Sequence, residues 1–304
     1  MELAYGTYDL TAVEELAGKL VLVNTLNLKG KMKEGRKPEF IGAFKFEGAG
    51  AAFSAVNIDF NGNDAIDNMM EVSSDDAVLT AVALRGCEVH GYMNRMFYMN
   101  KEGNVSNVSF NNIVVTSMGT SGDFIDIRKG TANVISVKNS TFANGIRTFA
   151  RVDAKVVCGA MTVENNTFYN LCAADSKDNN GILHVRATSL SAANYIVKNN
   201  IFASMHRAEA APTQTNGYPK LISTNAASQI PTFIGNLYYD VETEDPYNWW
   251  TKGSHEIEVT DMLETAVANG GEVLTESPFA TENPGETCKF VVKAAYKGIG
   301  DPRW

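Results

Sequence analysis

The sequence predicts an all-β solenoid, a parallel β-helix in which each turn of the coil stacks on the turn before it. Three observations support this prediction: a recurring hexapeptide, short β-rich runs separated by turn residues, and a second set of strands with the same spacing. Repeats with a period of roughly 20 to 50 residues are typical of solenoids and arrays.

The hexapeptide is clearest at residues 163–168, which read Val-Glu-Asn-Asn-Thr-Phe. Near or partial copies occupy residues 55–60, 84–89, 108–113, 137–142, 197–202 and 234–239. The last residues of the seven segments are at positions 60, 89, 113, 142, 168, 202 and 239, so the intervals run from 24 to 37. The spacing is too long for a heptad and too short for separate domains.

Between the hexapeptides lie short β-rich runs and Asn or Gly turns, without segments of helical period. This pattern excludes helical and leucine-rich repeats. A parallel β-helix fits best, because stacked turns bury a continuous core that no single turn can bury alone. An antiparallel sandwich with similar strands remains open as the alternative.

The hexapeptide also predicts which side chains face the core. Phe142, Phe168 and Phe202, at the end of three copies, are expected to stack inside the coil. The Asn at the third place, such as Asn165, is expected in a tight turn, since Asn tolerates the left-handed region. Stacked from turn to turn, these amides are expected to form a hydrogen-bonded ladder.

The chain reads as one β-helix domain over residues 1–304. Residues 1–50 are interpreted as the N-terminal entry, 51–240 as the repeating turns and 241–304 as a C-terminal cap, since terminal repeats of solenoids are atypical. In the entry, residues 20–26 and 40–46 are expected to be strands.

Two short helices are expected at the ends of the coil. Thr11 and Glu14 resemble a capping box that opens a helix closed by Gly18. Residues 260–269 resemble a second capped helix, which ends at Gly270.

The composition limits the function classes. With a formal net charge of -9 and no cluster of Lys and Arg, the chain lacks the pattern of a non-specific nucleic-acid binder. No apolar run is long enough to span a bilayer, and residues 1–5 show no signal peptide. The four cysteines, Cys87, Cys158, Cys172 and Cys288, form no C-x-x-C pair, so buried free thiols are favoured over a metal or redox site.

Two polar loops are rich in oxygen ligands, residues 59–64 and 175–181. Either loop has the oxygen atoms that calcium binds, but neither has Gly and a distal Glu at the positions of the EF-hand pattern. Ordinary turns are therefore favoured, and no metal ligands are assigned.

A second strand precedes several hexapeptides, and these strands align when their apolar positions are matched. Because strand side chains alternate between faces, the non-apolar positions point outward in two neighbouring columns. The first column is Tyr98, Asp126, Arg151 and His184, and the second is Asn100, Arg128, Asp153 and Arg186. Neighbouring turns are about 4.8 Å apart, so the two columns predict one compact polar surface.

This surface suits an acidic sugar polymer. Arginines bind carboxylates at two points, and Tyr98 and Phe149 offer stacking surface for sugar rings. His184 is a candidate acid or base near neutral pH, and Asp126 or Asp153 can orient it or hold a cation. The alternative is that these Asp and Arg side chains are solvated ion pairs between strands, each contributing under about 1 kcal/mol.

Turns that contain Asn-Asn-Thr-Phe at 165–168 and Asn-Asn-Ile-Phe at 199–202 resemble the pectin-lyase-like superfamily of right-handed parallel β-helices over roughly residues 20–240. Gly-Thr-Tyr-Asp at 6–9, Lys37-Pro38 and the Gly-Asp-Pro-Arg-Trp ending look like uncharacterised β-helix domains of secreted or surface-anchored bacterial lipoproteins from polysaccharide-utilisation loci. The resemblance implies a right-handed coil. It also implies lyases, hydrolases or esterases of uronate-rich polymers, with substrate along the outer face of one sheet.

The chain also departs from that superfamily. It lacks the Gly-His-Gly and Asn-Thr-Asp of polygalacturonases, the Gln-Asp-Thr of pectin esterases and the Arg-x-Pro-x-x-Arg of pectate lyases. No catalytic residue transfers by motif, and the fold alone cannot supply a reaction.

We therefore expect an extracellular or outer-membrane-surface protein, a monomer, that binds an acidic polysaccharide; whether it also cleaves this polymer, by β-elimination, is left open. In that mechanism Arg128, Arg151 or Arg186 neutralises the uronate carboxylate, alone or with calcium held by Asp126 or Asp153. His184 or an arginine removes the C5 proton. The alternative is a non-catalytic glycan-binding or adhesin-type scaffold.

Overall fold

A computed structural model describes residues 1–119, 123–145, 147–171, 182–205, 221–224, 227–241 and 269–304. In this part of the chain, the strands form three sheets of nine, ten and eight strands. From the first strand to the twenty-sixth, successive strands join the three sheets in strict rotation. This is the topology of a single-stranded parallel β-helix, so the predicted fold class is confirmed.

Each sheet contains one strand from each successive turn of the coil. The first sheet contains β1 (Glu2–Leu3), β4 (Leu26–Gly30), β7 (Ala49–Val56), β10 (Val78–Arg85), β13 (Asn104–Asn111), β16 (Thr131–Lys138), β19 (Ala160–Glu164), β22 (Tyr195–Lys198) and β25 (Thr232–Ile234). The second contains β2 (Thr7–Asp9), β5 (Glu39–Ile41), β8 (Asp59–Asn61), β11 (Glu88–His90), β14 (Val114–Thr116), β17 (Thr141–Gly145), β20 (Thr167–Leu171), β23 (Ile201–Met205), β26 (Leu237–Val241) and β27 (Glu272–Leu274). The third contains β3 (Lys19–Leu22), β6 (Ala43–Phe46), β9 (Asn68–Val72), β12 (Arg95–Met99), β15 (Asp123–Ile127), β18 (Thr148–Val152), β21 (Leu183–Val185) and β24 (Ile222–Ser223).

Neighbouring strands in these sheets are parallel. In β19 and β22, for example, Val163 pairs with Val197, and in β20 and β23 Phe168 pairs with Phe202. Parallel pairing over whole sheets excludes the antiparallel sandwich. Antiparallel contacts within the described ranges are isolated bridges outside the named strands, at Lys33 with Arg36 and Phe279 with Val292.

The aromatic stack predicted for the interior is confirmed. The ring centroids of Phe142 and Phe168 are 5.3 Å apart, and those of Phe168 and Phe202 are 4.9 Å apart. Tyr238 continues the stack at 5.6 Å from Phe202. All four side chains are almost completely buried, so the stack forms the continuous core that successive turns share.

Two of the predicted hexapeptide copies are out of register. Val115 pairs with Phe142, so the copy covers residues 110–115 instead of 108–113. Tyr238 pairs with Phe202, so the last copy covers residues 233–238 instead of 234–239. Both errors have a simple cause: apolar residues two positions apart share a face, and adjacent tyrosines look equivalent in the sequence.

The tight turn at the third place of the hexapeptide is confirmed. Asn139, Asn165 and Asn199 have positive φ values of 52°, 54° and 52°. Gly235 takes this place in the last copy, with a φ of 59°. The left-handed conformation bends the chain from the first sheet into the second.

The main amide ladder lies one position further along than expected, at the fourth place, where the side chains are fully buried. Asn166 donates from Nδ2 to Oδ1 of Asn200 at 3.0 Å, and Asn200 donates to Asn236 at 2.9 Å. Each amide also donates to a backbone carbonyl, for example Asn200 to Val163 at 3.0 Å. At the third place, Asn165 donates to Asn139 over a longer 3.4 Å.

The N-terminal entry differs from the prediction in two details. Residues 20–26 and 40–46 are each divided by a corner, so that each segment contributes to two strands in different sheets. The capping box is wrong: a 3-10 helix begins at Glu14 and ends at Leu16 without a side-chain cap. Thr11 instead donates from its backbone and its hydroxyl to Asp9, which fixes a turn ahead of the helix.

Further short helices lie in the C-terminal half. They are 3-10 helices at Ala227–Gln229 and Ala294–Tyr296 and the α-helix α1 at Pro284–Thr287. The helix expected at residues 260–269 falls almost entirely outside the described residues.

The C-terminal residues run back along the outer face of the second sheet. Asp301 accepts a hydrogen bond from the Thr141 hydroxyl at 2.7 Å, and the Trp304 indole donates to the same hydroxyl at 2.8 Å. Phe279 and Phe290 form an apolar cluster with residues of that face, such as Ile201. A large part of the second sheet is therefore covered, and the third sheet has to be considered separately.

Candidate functional site

The register predicted for the first polar column is confirmed on the third sheet. Tyr98 pairs with Asp126, Asp126 with Arg151, and Arg151 with His184. The apolar residues on either side, such as Ile125 and Ile127, are buried in the core. Alternation along the strands thus places the four side chains on the outer face.

The second column follows directly after the strand ends. Arg128, Asp153 and Arg186 each come one residue after the last residue of β15, β18 and β21. Asn100 follows β12 in the same way and is exposed. The predicted surface is therefore assembled at one end of these strands.

Two arginines that the sequence alignment did not include join the surface. Arg95 donates from Nε to Asp126 Oδ2 at 2.6 Å. Arg147 contacts Asp123 with two hydrogen bonds, of 3.0 and 2.9 Å. For Arg95 the missed signal was the strand start, because extending the alignment two residues upstream of Phe97 and Ile125 brings Arg95 opposite Asp123.

These side chains form what we call the arginine network: Arg95, Arg128, Arg147, Arg151 and Arg186 with Asp123, Asp126 and Asp153. Five guanidiniums and three carboxylates give a formal excess of two positive charges. The arginine side chains are 16% to 30% exposed, whereas Asp123 and Asp126 are fully buried. Asp123 and Asp126 are thus beneath a partly exposed layer of guanidinium groups, whereas Asp153, at 19% exposed, is as accessible as Arg151.

Asp126 is the centre of one half of the network. Arg128 donates to both of its carboxylate oxygens, at 2.9 Å from Nε to Oδ1 and 2.8 Å from Nη2 to Oδ2. Arg151 Nε is 3.8 Å from Oδ1. The hydrogen bond to Asp126 and the negative charge of this carboxylate raise the pKa of Arg128.

Asp153 is the centre of the other half. It accepts from Arg151 Nη2 at 3.0 Å and from Arg186 Nη2 at 2.6 Å. Burial raises the pKa of Asp153, but hydrogen bonds and charge from both arginines outweigh burial, so the pKa lies below its ordinary value. At Asp123 the balance is reversed: burial raises the pKa and Arg147 offsets it only in part.

Tyr98 and His184 mark the two ends of the first column. The guanidiniums of Arg95 and Arg128 lie 4.5 and 5.5 Å from the centre of the Tyr98 ring. His184 Nε2 is 3.9 Å from Asp153 Oδ1, and the His184 side chain is only 5% exposed. Tyr98 is half-buried, with both guanidiniums packed over its ring.

Phe149 does not belong to the surface, so the expectation that it stacks on sugar rings is wrong. Its ring is fully buried and stacks on Phe124, with centroids 5.5 Å apart. The alternation rule fails here because both Phe149 and Ala150 are buried at the start of β18.

One of the ion pairs expected between the polar columns has a different partner in the structure. Asp126 with Arg151 and Asp153 with Arg186 are present, but Arg128 contacts Asp126 instead of Asp153. Only some of the N–H donors of Arg128 and Arg151 are hydrogen-bonded to these carboxylates. Among the described residues, no hydrogen-bond acceptor contacts Nη1 of Arg128 or Arg151.

The residues do not fit a calcium ion at Asp126 or Asp153. Both carboxylates are surrounded by guanidiniums, which a cation would have to displace. In the residues that the structure describes, no group of three or more His, Cys, Asp or Glu side chains could hold a metal ion. Of the two loops considered for calcium, residues 59–64 begin as strand β8 and continue into a turn, in which Asn61 Oδ1 accepts from the backbone of Asn63 at 2.7 Å. The other loop, residues 175–181, lies outside the described residues.

The two cysteines that the structure places in the core, Cys87 and Cys158, are not reactive thiolates. Burial raises the pKa of Cys87 to about 11 and that of Cys158 to about 12. Both are free thiols in the core, as predicted, and Cys288 is free and half-buried. Cys172 lies outside the described residues.

Residues 6–145, a little under half of the chain, match the model of a domain of unknown function (DUF4957). No curated protein matches the chain. No helix in the described ranges is both long and apolar enough to cross a membrane.

Proposed function

We propose that this protein binds an acidic, uronate-containing polysaccharide along the outer face of the third sheet. The observation that carries the proposal is the arginine network, in which Arg128, Arg151 and Arg186 follow one another on successive turns. Its excess positive charge contrasts with the net charge of -9 on the whole chain. An anionic ligand is therefore attracted to this face more than to the rest of the surface.

The carboxylates make the network a better receptor for anions. Asp153 holds Arg151 at its Nε and Nη2 atoms, with distances of 3.3 and 3.0 Å, which leaves the Nη1–Nη2 edge for a second carboxylate. A guanidinium that is already held in place loses little conformational entropy on binding. Two-point contacts of this kind are the geometry in which arginine recognises carboxylates.

The repetition favours a polymer over a single sugar acid. Successive turns of a parallel β-helix are about 4.8 Å apart, so Arg128, Arg151 and Arg186, one from each of three successive turns, follow one another along the coil axis. A linear polyanion can contact several of them at once. Such a ligand agrees with the location outside the cell or on the outer-membrane surface that the resemblance implies.

A second candidate function is cleavage of the same polymer by β-elimination. The observation that favours it is the position of His184, directly beside Arg151 in the register and 3.9 Å from Asp153. His184 would take the proton from C5, the C4–C5 double bond would form, and the C4–O bond would break with its electrons on the leaving oxygen. An arginine is a weaker candidate for the base than His184, because the guanidinium stays protonated in proteins. The low exposure of His184 favours binding over cleavage.

We expect the double variant Arg151→Gln/Arg186→Gln to weaken binding of polygalacturonate at least about tenfold, because each lost charged hydrogen bond costs about 1.5 kcal/mol or more. Affinity electrophoresis and calorimetry with polygalacturonate, alginate and the neutral polymer dextran provide the measurement. Binding should also weaken between 50 mM and 500 mM NaCl, owing to screening.

Arg85→Gln is the matched control, since Arg85 is exposed on the outer face of the first sheet. Equal losses in the control and the double variant, or no binding of any acidic polymer, would contradict the proposal and favour the scaffold alternative. Prolonged incubation with each uronate polymer, with and without calcium, tests cleavage. Formation of an unsaturated product by absorbance, lost in His184→Ala, would establish the lyase.

A further inference from the structure

A cavity of about 490 Å³ lies between the outer face of the second sheet and the segment formed by residues 277–284. Tyr169 of β20, Ser204 of β23 and Tyr239 of β26 line it from the sheet. Thr281 and Glu282 line it from the segment opposite. Its size is within the range of small-molecule sites, about 300 to 1,000 Å³, and it is on a different sheet from the arginine network.

The two tyrosines form the aromatic part of this cavity. Both pair with Ala203, Tyr169 from one side and Tyr239 from the other, so they occupy the same position two turns apart. Two turns correspond to roughly 10 Å. Tyr169 is held by Phe279 and Phe290, whose ring centroids are 6.3 and 5.2 Å from its own. The tyrosines are therefore separated by a small residue and are at least partly fixed before a ligand arrives.

The polar part of the cavity is acidic and rich in hydroxyl groups. Asp240 and Glu282 are exposed, and the Ser204 hydroxyl donates to Asp240 Oδ2 at 3.1 Å. Ser277 and Thr281 add two further hydroxyls. Of the described residues that line the cavity, none is Lys or Arg.

We propose that this cavity binds a neutral saccharide unit. Tyrosine rings pack against the C–H face of a sugar ring, which has an apolar body and a polar rim. Carboxylates accept hydrogen bonds from sugar hydroxyls, and serine and threonine both donate and accept. A uronate is disfavoured, since the Asp240 and Glu282 carboxylates would repel its charge. The site is thus a second carbohydrate subsite with a preference opposite to that of the arginine network.

The test is ligand-observed saturation-transfer NMR, followed by calorimetry, on the full chain with glucose, galactose, mannose and their neutral trisaccharides. We expect at least one neutral saccharide to receive saturation, and Tyr239→Ala to weaken its binding about fivefold or more. Tyr5→Ala is the matched control, because Tyr5 is 40% exposed and lies outside the cavity. It should leave binding unchanged.

Tyr239 also packs against the apolar cluster, so Tyr239→Ala could lose binding through misfolding. A second variant separates these two effects. Ala280→Trp adds a side chain at an exposed position that lines the cavity, without removing a core contact. It should block binding while the unfolding midpoint stays within about 2 °C of the parent.

Three results would overturn the proposal. The first is that no neutral saccharide binds, and the second is that binding persists in Ala280→Trp. The third is that tetramethylammonium competes for the cavity and Glu282→Gln abolishes saccharide binding, which would assign the site to a cation. Glu282→Gln keeps a hydrogen-bond acceptor, so a neutral saccharide should lose less than about threefold. The arginine variants and uronate polymers are not used here, so failure of this site and failure of the proposed function are distinguishable.

Discussion

Asn200→Ala is expected to lower the free energy of unfolding by about 4 kcal/mol, since two or more buried backbone groups lose their partners at about 1 to 3 kcal/mol each. Asn200 Oδ1 accepts from the backbone N–H of Asn166 at 2.9 Å. Its Nδ2 donates to the carbonyl of Val163 at 3.0 Å. Water cannot replace these bonds without entering the coil, because Asn200 is completely buried. Equilibrium unfolding in urea measures the loss.

Asn199→Gly is the matched control in the adjacent position. Asn199 is in the left-handed turn, with a φ of 52°, and Gly235 occupies the equivalent place with a φ of 59°. Glycine adopts this conformation without strain, so the change should be less than about 1 kcal/mol. Similar losses for the two variants would show that the fourth-place ladder has no special part in stability.

Asp126→Asn is expected to destabilise the protein by about 3 kcal/mol, because removing one partner of a buried ion pair costs about 3 to 5 kcal/mol. The lower end applies since its partners are partly exposed, Arg95 at 18% and Arg128 at 28%. Without the carboxylate, these guanidiniums also repel Arg151. The loss measured by urea unfolding should therefore be smaller in 1 M NaCl than in 50 mM NaCl, owing to screening.

Asp75→Asn provides the comparison, because Asp75 is 60% exposed and its oxygen is 4.0 Å from Lys101. An exposed pair of this kind contributes under about 1 kcal/mol. If Asp126→Asn is as mild as Asp75→Asn and insensitive to salt, the arginine network is not organised around Asp126.

Local sequence patterns were sufficient to predict the fold and the first polar column of the candidate site. The recurring Asn and Phe predicted the turn at Asn165 and the stack through Phe168, since both follow from conformational preference and burial of single residues. Strand alternation correctly placed Tyr98, Asp126, Arg151 and His184 on one face. Side chains alternate between the two faces of any strand, so this placement can be predicted from each strand without its neighbours in the sheet.

The kind of coil and the direction in which most side chains face follow from the sequence alone. The contacts between turns do not follow from it: Arg95 and Arg147 join the network, Asp126 is fully buried, Phe149 lies in the core, and the C-terminal residues cover part of the second sheet. These contacts join residues that are about one repeat apart along the chain. Pairing between turns depends on distances of a few ångströms and on bends at strand starts, which no local pattern encodes.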